Sequence, residues 1–240
     1  EQDGYENVAS VTQSDSGNNA SVSQTGDANS ATVEQIGTDQ MATVIQTSDN
    51  SMALVTQAGS TNDATVTQMG DGNSATVDQT GVNQLATVDQ DNNGNNADVT
   101  QSGSDQIAGV NQSGNGNMAT ATQVDSLNEA YILQAGDGNS ATVDQSGSNQ
   151  LANINQSGDL NVSDILQSAS MNSADISQSG DFNDADIDQS GSSNVATIDQ
   201  FGLGVDGSMN MASITQIANS DVASIIQMGG AGNSATIIQQ

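Results

Sequence analysis

Asn73-Ser74-Ala75-Thr76-Val77-Asp78-Gln79-Thr80-Gly81 is one unit of a pattern that fills nearly the whole chain. Its recurring residues stand two apart, which is the side-chain period of a β-strand. Asn73, Ala75, Val77 and Gln79 therefore share one face. Gly81, two residues past the Gln, supplies the permissive backbone of a tight turn.

Outward from this unit, glutamine recurs at every eleventh position: Gln13, Gln24, Gln35, Gln46, Gln57, Gln68, Gln79, Gln90, Gln101, Gln112, Gln123, Gln134, Gln145, Gln156, Gln167, Gln178, Gln189 and Gln200. Gln216, Gln227 and Gln239 continue the series after an insertion at 201–208 and a one-residue insertion before Gln239. Four residues before each Gln stands Ala, with Ser163 the one exception. Two before it stands Val or Ile, except Ala121. Six before it stands Asn in 15 of the 21 units, Asn139 and Asn183 among them. Gln40, Gln84, Gln106, Gln150, Ser51 and Asp221 fill the others.

An internal repeat this strict makes each unit one structural element stacked on the next. An 11-residue period also occurs in right-handed coiled coils. Those place apolar residues three and four apart and do not accept Gly and Asn in nearly every repeat. Two turn types mostly alternate, Gly70-Asp71-Gly72-Asn73 being one and Gly81 to Leu85 the other, so the full repeat is 22 residues. The expected fold is all-β: a β-solenoid or stacked β-arch of two strands per rung and 21 strands. Its ladders are parallel, in register and cross-β-like, at roughly 4.8 Å spacing. Residues 1–6 are read as a short lead and 7–240 as a single domain of about 10.5 rungs.

Composition alone argues the other way. Leu, Ile, Val and Phe are few, and net charge is -29, a profile of disordered chains. Periodicity overrules it, because the apolar residues of the repeat fall on one face. Ala opposite Val or Ile closes two sheets at about 10 Å, and stacked amides satisfy one another in ladders. The absence of Pro suits strands that all donate to such ladders.

Gln24-x-Gly26-x-x-Asn29-x-Ala31-x-x-x-Gln35, repeated from Gln68 to Gln79 and from Gln134 to Gln145, resembles the curlin repeat of curli subunits, the functional amyloid of bacterial biofilms. The resemblance spans residues 7–240. It implies an extracellular, secreted subunit that stacks into a homopolymeric fibre, with a nucleator and an outer-membrane secretion pore as partners. Curlins typically carry about five repeats and a Gly-rich targeting stretch, and this chain departs from both. The basic residues typical of nucleating subunits are missing, which favours a major, fibre-forming subunit.

With no His, Lys, Arg or Cys, the chain lacks the usual bases, amine and thiol nucleophiles and transition-metal ligands. It is read as a non-enzyme with no cofactor. Nucleic acid is excluded as a partner for want of cations, and no apolar run is long enough for a membrane span. Asp89-x-Asp91-x-Asn93-Gly94 opens like an EF-hand loop, but the twelfth position is Thr100 rather than Glu, so the match is chance. A turn column of Asp27, Asp49, Asp71, Asn93, Asn115, Asp137, Asp159 and Asp181 is the candidate for loosely bound Ca²⁺. The plainer reading is that Asp and Asn suit the turn.

Polymerisation is assigned to the outer strands, Asn7 to Gln13 and Asn233 to Gln239, whose edges carry no Pro or Lys. An odd strand count would leave a vacant seat beside the last strand for the first strand of the next molecule. Two alternatives are monomeric binding modules. Thr65, Thr76, Thr87, Thr142 and Thr197 suggest an ice-binding array, but a second Thr follows only at Thr67 and Thr122. The other is the stalk of a larger adhesin.

Overall fold

The computed structural model describes residues 1–202 and 209–240. These contain twenty-two strands, numbered β1 to β22 in chain order, with no helix among the described residues. The odd-numbered strands form one eleven-stranded sheet, here sheet A, and the even-numbered strands form sheet B. Every pairing is parallel, and along the regular part of the rod each residue stacks on the one 22 positions away: Ala75 on Ala97, Val77 on Val99, Gln79 on Gln101. Across the insertions the offset becomes 27, as from Asn183 to Asn210, or 23, as from Met211 to Ser234. The expected solenoid of 22-residue rungs is therefore the observed fold.

The strand count is 22, not 21. The extra strand is β1 (Gln2–Asp3), which pairs with Gln24 and Thr25 of β3 (Asn19–Thr25). Gln2 lies eleven residues before Gln13, and Gly4 stands two after it, so the series starts one step early. The vacant seat is removed by this. β2 (Val8–Ser14) and β22 (Ser234–Gln239) belong to the same sheet, so the first long strand would stack on β22 rather than sit beside it.

The core lies between the sheets. Ala31, Val33, Ala75, Val77, Ala130 and Ile132 are 2% exposed or less, and so are Gln79 and Asn73. Outward positions of the strands alternate with these and stay in contact with water, as the two-residue period requires. Gly81 has φ 136°, and a Cβ there would sit 1.9 Å from the carbonyl oxygen of Gly103 on the next rung. At Gly81 itself glycine is favoured both by φ and by the closeness of the neighbouring backbone, while the same column holds Asp125 and Ala169 at a different φ of 76°.

All but the first two residues of the insertion at 201–208 lie outside the described residues. Both amide ladders cross it unbroken, Gln189 donating to Gln216 and Gln200 to Gln227 at 2.8 Å each.

Candidate functional site

The repeating chemistry of the fold is the stacked amide. Each ladder glutamine donates from Nε2 to Oε1 of the glutamine one rung toward the C-terminus. In sheet A the bonds run from Gln2 through Gln24 to Gln227 without a gap. In sheet B they run from Gln13 to Gln239 likewise. Every glutamine amide of these two ladders points the same way along the rod.

The second N–H of the same nitrogen crosses to the facing sheet. Gln24 donates to the carbonyl of Val8 at 3.0 Å, and Gln90 to that of Ser74 at 3.0 Å. The amide thus fastens rung to rung and sheet to sheet at once. A buried amide whose donors and acceptor are all used carries no desolvation deficit.

The asparagines do different work. Asn95 and Asn161 donate their backbone N–H groups to Oδ1 of Asn73 and Asn139, each at 2.9 Å. The side-chain nitrogens of Asn73 and Asn139 donate to the turn carbonyls of Asn92 and Gly158 at 2.8 Å. Asn183 accepts from Nδ2 of Asn210 at 2.9 Å. This column anchors the turn before each strand of sheet B. In the sheet A column, Gln40, Gln84, Gln106 and Gln150 stand where Asn could. Their longer arms still reach turn carbonyls, as Gln150 does to Ala169 at 2.8 Å. Oε1 of Gln40, Gln84 and Gln150 is buried without a donor.

The acidic turn column is part of the same bonding. Asp27, Asp137 and Asp159 each offer their backbone N–H to Oδ1 of the residue stacked above: Asp49 at 2.7 Å, Asp159 at 2.8 Å and Asp181 at 2.9 Å. Asp49 donates likewise to Asp71 at 3.1 Å. One oxygen of each therefore closes the turn ladder. Among the described residues, no three carboxylates converge as a cation site.

On the outer face of sheet B, Asp164 stacks directly on Asp186, which Asp184 and Asp188 flank along the same strand. Partial burial raises the pKa of Asp164 and Asp186, and the mutual repulsion of these carboxylates and Asp144 raises it further. A hydrogen bond with Ser213 opposes part of the rise in Asp186. Burial also raises Asp184. The threonines of the ice-binding alternative divide between the sheets, Thr65, Thr87 and Thr197 on A and Thr76 and Thr142 on B.

Asn7, Gln13, Asn233 and Gln239 occupy the outermost rungs. Gln13 begins the ladder of sheet B and Gln239 ends it. Asn7 accepts from the backbone of Asn29 at 2.9 Å, and Asn233 donates from its own backbone to Asn210 at 3.2 Å. Gln2 was the member of the ladder that sequence reasoning missed; its signals were its spacing from Gln13 and Gly4 two residues after it.

The family model for the curlin associated repeat matches this chain seven times, at residues 17–47, 26–59, 59–91, 93–124, 126–147, 147–180 and 180–217. A comparison with curated proteins gave no significant match.

Proposed function

The chain belongs to the curlin-repeat family, and from that premise we propose that it is a structural subunit of an extracellular, curli-like amyloid fibre. The observation that carries this reading is the pair of unbroken, unidirectional amide ladders. Rung stacked on identical rung is how the chain binds itself, and assembly repeats the same contact between chains. Where β1 and β2 at one end and β21 (Val222–Met228) and β22 at the other are the outermost strands, one molecule's β1 and β2 would continue the sheets of another's β21 and β22. Such a contact is heterologous and open, and generates a filament rather than a ring.

A nucleating subunit and an outer-membrane pore are the further partners this reading calls for. Calcium would act by loose association with the acidic surface. Among the described residues no helix is long and apolar enough to cross a membrane.

Electron microscopy and fibre diffraction of the purified chain test the proposal. Unbranched fibres with a meridional reflection near ~4.8 Å are expected. Stable monomers would turn the assignment to a binding module, and short rods to a stalk.

A further inference from the structure

All eight methionines of the chain lie on its surface. Met belongs to the residue types most often buried, yet here exposure runs from 44% at Met209 to 76% at Met228. The repeat itself is the cause. Its inward columns hold Ala, Val or Ile, together with amides that bond to their own copies, and a lone thioether would break either kind of column. Met52, Met118 and Met211 take outward strand positions of sheet B, while Met69 and Met228 follow ladder glutamines. Among the described residues, the buried ones are Ala, Val, Ile, Asn, Gln, Ser and one Gly, Gly191. None of these is on the ladder of easily oxidised side chains that Cys and Met occupy.

We propose that the methionines form an oxidant-consuming coat, converted to sulfoxide by peroxide while the amide ladders beneath stay intact. The thioether sulfur attacks one oxygen of hydrogen peroxide, the O–O bond breaks and an S–O bond forms. The sulfur loses two electrons, and the other peroxide oxygen leaves as water. Sulfoxide formation ordinarily disrupts cores, because it puts a polar group where an apolar one was packed. At these positions water already reaches the side chain, and the bonds between rungs belong to backbone and amide groups that the sulfur does not touch.

The test uses the folded full-length chain, fibrous or not, so its outcome is independent of assembly. The chain is incubated with hydrogen peroxide and followed by intact mass, peptide mapping, circular dichroism and thermal melting. Eight added oxygen atoms per chain, one for each Met of the sequence, are expected with the β spectrum and Tm unchanged. A variant with every Met replaced by Leu should consume no peroxide by this route. A methionine that reacts only after denaturant is added would overturn the proposal, and so would a fall in Tm that tracks oxygen uptake. If the multiple variant does not fold, the mass and melting of the natural chain decide the matter alone.

Discussion

Ser163 donates from Oγ to Oε1 of Gln178 at 2.7 Å. It also accepts from Nε2 of Gln156 at 3.0 Å, so its hydroxyl lies alongside the amide link between those two glutamines. The one departure from the Ala column is thus a polar group placed where the ladder can satisfy it. The Gln156 to Gln178 bond persists beside it at 3.0 Å. Ser163→Ala should therefore change stability by no more than about 1 kcal/mol. Gln178→Ala strands the Ser163 hydroxyl and the Gln200 acceptor and opens a hole, costing about 3–5 kcal/mol. Urea midpoints of the two variants check the contrast.

Gln150→Asn should stabilise. Oε1 of Gln150 is buried with no donor. At the equivalent place one rung away, Asn128 presents Oδ1 to the backbone N–H of Gln150 at 3.1 Å. A shortened arm at 150 would make the same bond to the next rung and remove the orphan acceptor. A gain of about 1 kcal/mol is expected, read as a raised Tm. A lowered Tm would mean that the lost methylene outweighs the hydrogen bond.

Gly81→Ala and Gly72→Ala separate two reasons for glycine. At Gly81 an added Cβ runs into the carbonyl of Gly103, whereas at Gly72, with φ 67°, it meets nothing within 4 Å. The first substitution should cost upward of ~3 kcal/mol, because the backbones of neighbouring rungs must part. The second should cost about 1 kcal/mol, the left-handed penalty alone. Denaturation curves of both, under one condition, show whether contact or conformation dominates.

Acidification should stabilise the rungs around Asp164 and Asp186. In the folded chain their pKa values are raised above the ordinary aspartate value, so the native state binds more protons than the unfolded state does. Stability then falls as pH rises through that window and is recovered as pH drops from neutral toward the ordinary value. Melting curves between pH ~7 and pH ~4 should show Tm rising as the solution is acidified. Asp186→Asn should flatten that slope. A Tm that falls over the same range would contradict the assignment.

Fibre growth should speed up with ionic strength. The chain carries a net charge of -29 with no Lys, Arg or His to offset it. Spread along some 50 Å of rod, that charge repels an incoming copy until counterions screen it. Growth followed by light scattering at low and high salt checks this. Equal rates would show that charge does not limit docking.

Most of the fold was legible because a two-residue spacing and an eleven-residue repeat can be met together by very few structures. Asn73, Ala75, Val77 and Gln79 could be placed on one inward face from spacing alone. Gln2 escaped because its strand keeps only the Gln and the residue after it, with no Asn, Ala or Val before it to complete the unit. The crossing bond from Gln24 to Val8 was also out of reach. It depends on how far apart the sheets settle, and a repeat unit does not state that distance. The odd behaviour of Gln40, Gln84 and Gln150 comes from side-chain length. Their confinement to one sheet was nonetheless already visible, since all three fall on the same 22-residue series.

Because each residue of the regular rungs meets its counterpart 22 positions on, the strands can be removed only in whole turns, and odd lengths have to be taken up in the turns, as the insertion at 201–208 does. Excising a full turn, such as 74–95, would join Asn73 to Asn96 and leave every later side chain in its old column. Removing half as much would send each following strand to the opposite sheet, where glutamine-bearing turns would replace asparagine-bearing ones. Natural or designed relatives should therefore differ in strand count by whole turns, like a spring cut only between coils, with any other difference in length confined to the turns.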